Sequence, residues 1–474
     1  MARPSPRRRF YLHTLGCKLN QTDTQAVASE LRARGMVPAA RPKEADFLVV
    51  NTCTVTGRAD ADGRRMLRRL AGLNPRARLV AMGCYASRDP RTLAAIPGVD
   101  LVSRGSAAAP VVAEAERTFA GELTVAAEPY HAAPGAGGRT RAMLKVQDGC
   151  NLTCSYCVLP RVRGRSRSVP VEELARSLKR LVEAGFAEVV LTGVNTGDYG
   201  RDLPGGERLV DLLRRLVAVP GLGRLRLNSL EPRTAEADLI HFLADCPRLA
   251  PHLQIPLQSG SDRILARMRR NYRRDFYIEL VQRLARRIPD IGLGADVIAG
   301  FPGESEQDFA DTVALVRDTP LAYLHVFSYS LRPGTDAAGF PEAVPPAVIK
   351  ERATRLRELA VEKGARFRRR FIGRTLQAVT LADPGPGGTV RALTGNFIEV
   401  LLPAGSAPGN RLVAVRVLAA DETGARGVLA AGGDTRTQSA GAMQRERVRR
   451  VRGPFDPGLP EAYPLVTGNN PPRR

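Results

Sequence analysis

Tryptophan is absent from this 474-residue chain, and only five histidines occur, scattered without metal-ligand spacing. A histidine-based metal motif is thereby excluded. No glycine loop followed by Lys and Ser/Thr is present, which removes the nucleotide-phosphate cradle of that type. No apolar run approaches the roughly 20 residues that a membrane helix needs. The basic stretch Met1 to Arg9 is followed by Phe10-Tyr11-Leu12-His13-Thr14, too short and too polar for a signal-peptide core. Solenoid repeats are missing as well. Seven cysteines, an odd number in a long chain, argue against a disulfide scaffold and for a reducing compartment, so a soluble cytoplasmic protein is expected.

Acidic residues are also in short supply. Lys and Arg number 71 against 48 Asp and Glu, a net charge of +23. A GC-rich coding sequence explains why Arg is preferred to Lys, but not the excess itself. A phosphate backbone is the commonest partner for such a field, so nucleic acid is the expected partner. With 43% hydrophobic residues the chain has material for buried cores, and its length predicts about two to four domains.

The densest chemistry lies in Asp148-Gly149-Cys150-Asn151-Leu152-Thr153-Cys154-Ser155-Tyr156-Cys157, just after the apolar run Ala142 to Gln147. Three thiolates this close can converge on one metal centre. No Cys or His follows before His241, so the set does not match a closed four-ligand zinc site, and an iron-sulfur cluster with one iron left open fits better. A zinc knuckle or three buried thiols are the plainer alternatives. The spacing, with Tyr156 just before the last cysteine, resembles the signature of the radical S-adenosylmethionine (AdoMet) enzymes. That resemblance implies a [4Fe-4S] cluster at Cys150, Cys154 and Cys157, whose open iron is chelated by the amino and carboxylate groups of AdoMet.

Upstream, residues 8–125 alternate strand and helix. Strand-like runs Phe10 to Leu15, Asp46 to Asn51, Arg78 to Met82 and Val99 to Val102 are separated by helical stretches such as Thr24 to Arg34 and Arg58 to Leu73. The pattern predicts an open parallel α/β domain. Cys17, Cys53 and Cys84 each fall just after a strand, at the edge where such sheets gather their ligand loops. Singly, each is as readily a small buried hydrophobe. The segments Thr14-Leu15-Gly16-Cys17-Lys18-Leu19-Asn20, Asn51-Thr52-Cys53-Thr54-Val55-Thr56 and Gly83-Cys84-Tyr85 resemble the amino-terminal domain of the methylthiotransferases, a subgroup of radical AdoMet enzymes. The resemblance implies a second, auxiliary [4Fe-4S] cluster on these three cysteines, facing the same cavity as the first. Cys246 is left to packing.

Residues 126–140 read as an Ala/Gly/Pro linker. Over residues 141–371 six strand candidates alternate with helices: Ala142–Gln147, Glu188–Thr192, Leu225–Ser229, Pro251–Pro256, Gly294–Ala299 and Ala322–Tyr329. Six units predict an incomplete (β/α)6 barrel with its chemistry at the strands' carboxyl ends. By family resemblance Tyr156 contacts the adenine of AdoMet, Thr192 and Gly193 its amino group, and Glu231 and Gln258 the sugar or substrate side; turn chemistry or a helix cap accounts equally for any one of them. Arg161, Arg163, Arg165 and Arg167 alternate directly after the cysteines, either as a solvated face or as a clamp on RNA phosphates. Residues 372–431 carry five short strands without helices, which predicts a small antiparallel β-barrel similar to the TRAM domain, with a basic helix from Lys350 to Arg374 beside it. Beyond residue 432 the composition predicts disorder.

Within the subgroup, the motifs around Cys17 and Cys53 and the segment Pro160-Arg161-Val162-Arg163-Gly164 look most like the branch acting on N6-threonylcarbamoyladenosine at position 37 of tRNA. That branch inserts a methylthio group at C2, a C–H bond that acid/base catalysis cannot open and a cofactor radical can. The branch acting on isopentenyladenosine usually has a different residue set around its first two cysteines; a methylthiotransferase acting on a ribosomal protein would share both cysteine sets, but the strong positive balance favours RNA. A non-catalytic RNA-binding metalloprotein is the reading from another class. The implied partners are the tRNA anticodon arm and a flavodoxin- or ferredoxin-type electron donor, with the enzyme acting as a monomer.

Overall fold

A computed structural model describes residues 7–123 and 140–430. The expected linker, save Thr140, and the expected disordered tail lie outside the described residues. These residues form two compact units, one comprising residues 7–123 together with Val158–Gly164, the other residues 140–157 and 165–430. No helix among the described residues is long and apolar enough to cross a membrane.

The first unit is built from β1 (Arg9–Thr14), α1 (Lys18–Ala33), β2 (Val37–Pro38), β3 (Phe47–Thr52), α2 (Gly57–Leu73), β4 (Arg78–Gly83), α3 (Cys84–Arg88), α4 (Pro90–Ala94), β5 (Leu101–Val102) and α5 (Ala109–Thr118). Its five strands pair in parallel in the order β2-β1-β3-β4-β5. The central strand β3 is buried on both faces because helices cover both. Leu48 and Val50 pack with Met66, Leu67 and Leu70 of α2. Phe47 and Val49 pack with Val27 and Leu31 of α1 and Val111 and Ala115 of α5. The order of winding reverses between β1 and β3, and such a switch point opens a crevice beyond the strands' carboxyl ends. Helix α1 starts at Lys18, several residues before the expected Thr24, so Cys17 sits at its N-cap.

The second unit begins with β6 (Ala142–Lys145) and β7 (Gln147–Asp148), which replace the single strand expected over residues 142–147. Helix α6 (Leu159–Arg163) belongs to the first unit; β8 (Arg167–Ser168) then pairs antiparallel with β7. There follow α7 (Val171–Glu183), β9 (Glu188–Thr192), α8 (Leu209–Val217), β10 (Arg224–Leu227), α9 (Ala237–Asp245), β11 (His252–Gln254), α10 (Asp262–Arg267), α11 (Arg274–Arg287), β12 (Gly292–Ala299), α12 (Glu306–Asp318) and β13 (Tyr323–Ser328). Two three-stranded parallel sheets, β10-β9-β6 and β11-β12-β13, are joined by single bridges Leu225–Leu249 and Ser229–Gln254. The result is the expected six-stranded incomplete barrel. Alternate residues such as Val189, Leu191, Leu225, Leu227, Leu293, Ala295 and Val297 pack outward under the helices. Their neighbours, among them Glu188, Arg224, Arg226, Gln254 and Asp296, take the inner face, since successive strand side chains point to opposite sides. Cys246, at the end of α9, packs against this core.

Helix α13 (Pro346–Arg369) leads into a closed five-stranded barrel of β14 (Thr375–Thr380), β15 (Val390–Thr394), β16 (Glu399–Leu402), β17 (Leu412–Ala420) and β18 (Ala425–Leu429), in the order β14-β15-β16-β18-β17. All its pairings are antiparallel except β16 with β18. A buried charge cluster ties it to the larger barrel. Glu188, fully buried, accepts hydrogen bonds from Arg224 Nε at 2.5 Å and Arg226 Nε at 3.0 Å. Both guanidinium groups then donate to backbone carbonyls of the small barrel: Arg224 to Gln377 and Leu393, and Arg226 to Thr394 and Gly395.

Candidate active site

In the first unit Gly16, Asn20, Thr52, Thr54 and Thr56 tie the cysteine-bearing loops together. Gly16 lies at φ +97°, and a Cβ there would stand 2.6 Å from both Cβ and Sγ of Cys53, so only glycine admits the two loops this closely. Asn20, fully buried, donates from Nδ2 to the carbonyls of Leu15 at 2.9 Å and Thr52 at 3.0 Å, joining the loop after β1 to the loop after β3. Thr52 Oγ1 donates to the Met82 carbonyl at 2.6 Å, Thr54 Oγ1 to Asp60, and Thr56 caps α2. Gly83, at φ +95°, turns β4 into α3, which Cys84 begins.

Cys17 is exposed, whereas Cys53 and Cys84 are buried. Burial pushes the Cys53 thiol up to about 12, with Cys17 and Cys84 adding to the rise. Burial likewise raises Cys84 to about 11, while Arg163 works in the opposite direction. Arg163 Nε donates to Cys84 Sγ at 3.2 Å, and its Nη2 to Asn20 Oδ1 at 2.6 Å and Asp23 Oδ2 at 2.9 Å. The expectation of an RNA clamp is therefore corrected at Arg163, whose side chain is 2% exposed and consumed by Asp23. Arg161, Arg165 and Arg167 are exposed.

In the second unit Gln147 is the organiser that sequence reasoning missed. It is completely buried; its Nε2 reaches the carbonyls of Asp148 at 3.0 Å and Gly149 at 2.7 Å and Ser166 Oγ at 2.8 Å. Its Oε1 accepts from the Asn195 amide at 2.9 Å, so one side chain links the start of the cysteine loop to the loop after β9. Farther along, Ser155 donates from its amide to the Met268 carbonyl at 3.1 Å and from Oγ to the Arg267 carbonyl at 2.8 Å. Cys150, Cys154 and Cys157 are half-buried on this loop, and burial raises the Cys150 thiol.

Tyr156 packs edge-on against Phe301 at 6.4 Å, beside Ile264 and Met268. Thr192 ends β9 almost fully buried, and Gly193 follows where a Cβ would meet Gln147 Oε1 at 2.9 Å. Gln258 adopts φ +63° and bridges to β12 through its amide, which donates to the Asp296 carbonyl at 2.7 Å. Glu231 departs from expectation. Both its oxygens accept from Arg270 Nη2, at 2.5 and 2.6 Å, and Arg270 Nη1 donates to Cys154 Sγ at 3.2 Å. Glu231 is thus a support for Arg270 rather than a free ligand group.

Part of the basic helix is also spent. Arg352 pairs with Glu304 and Glu306, Lys363 donates to the carbonyls of Arg317 and Thr319, Arg368 to those of Asp421 and Glu422, and Arg374 pairs with Asp290.

Residues 144–316 match the radical SAM superfamily, and residues 9–103 match the uncharacterized protein family UPF0004. The second unit therefore contains most of a radical AdoMet domain. The chain is 35% identical over 82% of its length to the threonylcarbamoyladenosine tRNA methylthiotransferase MtaB of Aquifex aeolicus, covering 95% of that protein. It is 33% identical over 86% to its Bacillus subtilis namesake, of which it covers 93%. It is also 36% identical over 86% to the tRNA-2-methylthio-N(6)-dimethylallyladenosine synthase of Chloroflexus aurantiacus, covering 85% of it. Among solved structures, the radical S-adenosylmethionine methyltransferase TsrM of Kitasatospora setae shares the fold, with a TM-score of 0.52 at 17% identity, over 70% of this chain and 75% of that one. The chain belongs to the radical AdoMet tRNA methylthiotransferase family.

The family's [4Fe-4S] cluster and AdoMet fit the residues present. Among the described residues no three His, Cys, Asp or Glu side chains are gathered as for a single ion. A cube meets its thiolates at three separate irons, so its ligands stand farther apart than those of one ion. Next to the cysteine loop, Asn195 Oδ1 and Asp198 Oδ2 are buried without a hydrogen-bond partner. Asp198 also acts electrostatically on Cys150. Two unsatisfied acceptors there suit a ligand carrying ammonium and hydroxyl donors, as AdoMet does.

Proposed function

We propose that the protein inserts a methylthio group at C2 of N6-threonylcarbamoyladenosine at position 37 of tRNA. The observation that carries the choice of base is a hydrogen-bonded trio on the inner face of β11, β12 and β13. Gln254 Nε2 donates to Asp296 Oδ1 at 2.7 Å, and His325 Nδ1 lies 3.0 Å from the same oxygen. Both Asp296 and His325 remain partly open. A threonylcarbamoyl group brings a ureido, a hydroxyl and a carboxylate that such a wall can satisfy. A dimethylallyl group brings none, so it would take water from the partly open carboxylate and imidazole without offering a new hydrogen bond, at a cost of about 1–3 kcal/mol for each polar group so covered.

In this reading residues 8–125 carry the auxiliary cluster on Cys17, Cys53 and Cys84, residues 141–371 the AdoMet chemistry, and residues 372–431 contacts to RNA. When bound, the cluster on Cys150, Cys154 and Cys157 would supply the electron that cleaves AdoMet, and the auxiliary cluster would hold the sulfur to be inserted. The chain's own residues position and shield. Tyr156 and Phe301 offer an apolar wall for the adenine. Thr192, Gly193, Asn195 and Asp198 bracket the polar end of AdoMet, and Gln258 borders the substrate side. Arg270, braced by Glu231, orients Cys154, while Arg163, braced by Asp23, orients Cys84. Exposed Arg161, Arg165 and Arg167 face solvent where RNA phosphates are accessible. A flavodoxin- or ferredoxin-type donor supplies electrons to the monomeric enzyme in the cytoplasm.

Nucleoside mass spectrometry of tRNA from cells with and without the gene tests the reading. The 2-methylthio derivative of threonylcarbamoyladenosine should disappear on deletion. Disappearance of the isopentenyl derivative instead would transfer the enzyme to the other branch.

A further inference from the structure

The second unit holds a groove that none of the cofactor chemistry uses. It has a volume of about 470 Å³ and lies where the end of α11, the turn from α12 into β13 and the last turns of α13 meet. Arg286, Arg317, Lys363, Arg366 and Arg370 line it, with Asp318 the one carboxylate among the lining residues. The turn into β13 is at that strand's amino-terminal end, whereas the cysteine loop follows the carboxyl end of β6.

Two of the five cations are fixed. Lys363 is buried, with Nζ donating to the Arg317 carbonyl at 3.0 Å and the Thr319 carbonyl at 2.6 Å. Arg370 spends Nη2 on the Pro289 carbonyl at 2.7 Å and lies over the Phe367 ring. Arg286, Arg317 and Arg366 are exposed, and none of their three guanidinium groups makes an ion pair or hydrogen bond with the described residues. Two nearby arginines outside the groove are paired, Arg287 with Asp245 and Arg374 with Asp290. Scattered solvated arginines explain any one of these groups, but not three unpaired guanidinium groups converging on one concavity beside a buried ammonium. Like charges gathered there repel one another and destabilise the fold unless an anion joins them, and a concave wall focuses their field.

We propose that this groove seats the phosphodiester backbone of the RNA substrate, a proposal that rests on the tRNA reading above. Guanidinium forks match phosphate oxygens in bidentate geometry. Contacts of this kind fix the register of the RNA without reading its sequence.

The test is tRNA binding by the cluster-loaded full-length enzyme across a salt series, comparing wild type with the double variant Arg317→Gln/Arg366→Gln. Each lost phosphate contact should reduce the slope of log K against log salt by about one, so the double variant should lose about two and bind roughly tenfold more weakly at moderate salt. AdoMet cleavage without tRNA should stay as in wild type and the melting temperature should not fall, because both side chains are exposed and their removal relieves repulsion. A control neutralising Arg176 and Lys179 on α7 should leave the slope in place. An equal loss in that control would reduce the effect to net charge and overturn the site. Unchanged slope and affinity in the double variant would overturn it too, including the case in which the groove takes only inorganic phosphate. Wild-type protein that binds no tRNA would instead overturn the tRNA reading itself.

Discussion

Arg163 and Asp23 form a buried ion pair, Nη2 to Oδ2 at 2.9 Å, although 140 residues separate them in the chain. Because the same guanidinium reaches Cys84 Sγ, the pair positions a thiol of the proposed auxiliary cluster. A matching arrangement recurs at the other cysteine set, where Glu231 holds Arg270 and Arg270 reaches Cys154 Sγ. In both places a carboxylate braces an arginine, and the arginine donates to sulfur. A charge-assisted donor of this type stabilises a thiolate and restricts where its lone pairs point.

Breaking the first brace should cost stability as well as chemistry. Arg163→Gln leaves Asp23 buried without its cation, which costs about 3–5 kcal/mol. Calorimetry should show a lower melting temperature, and Asp23→Asn added to it should restore part of the loss, because the two changes are coupled. AdoMet cleavage should persist while methylthio transfer fails, the phenotype expected also of Cys53→Ala. A variant that loses only tRNA affinity, with stability and transfer intact, would return Arg163 to the RNA-clamp role.

Arg270→Gln should act at the other cluster. Deoxyadenosine formation is expected to fall roughly tenfold, the loss of about one charge-assisted hydrogen bond. The reduction potential of the cluster should shift, with Arg270→Lys giving a partial return. Cys154→Ala should abolish cleavage altogether. An unaltered potential in Arg270→Gln would leave Arg270 a purely structural partner of Glu231.

The cluster around Glu188 makes stability depend on acid. Burial alone would raise this carboxyl, but Arg224, Arg226 and Arg141 outweigh it and hold it well below its ordinary 4.5. A depressed folded value means that the stabilisation is complete above the unfolded value and is lost as pH falls below about 4.5 toward the folded one. Denaturant midpoints of the wild type should therefore drop steeply in that window. Glu188→Gln, which strands two buried guanidinium groups, should be destabilised by about 3–5 kcal/mol near neutrality and show a flatter acid limb. Parallel acid limbs in the two proteins would remove Glu188 from the pH dependence.

Much of the scaffold was legible in the sequence because it rests on short-range signals. Strand β9 coincides with the expected Glu188–Thr192, and Cys53 and Cys84 fall immediately after their strands because β-branched runs end at polar, glycine-bearing turns. The supporting residues were not legible. Arg270 lies 116 residues from Cys154, and Gln147 lies 48 from Asn195, so neither partnership leaves a local pattern. Arg163 shows the hazard most clearly. It stands in an alternating basic run whose other members, Arg161, Arg165 and Arg167, are exposed, and only the short helix α6 turns it toward Asp23. The basic helix is mixed in the same way: Arg352 and Lys363 find partners 48 and 44–46 residues away, whereas Arg366 stays exposed.

The attachment of the small C-terminal barrel has an evolutionary corollary. Arg224 and Arg226 address main-chain oxygens at residues 377 and 393–395, which every amino acid supplies. Apart from Gly395, where a Cβ would press on Pro251 at 3.0 Å, Asn410, whose side chain bonds the Ala187 amide and the Gly185 carbonyl, and Phe397, which stacks on His252 at 4.5 Å, that seat places little demand on side-chain identity. Substitutions over the remainder of the module are therefore free to retune its affinity for a new ligand without unfastening it, as with a tool head changed on a fixed handle.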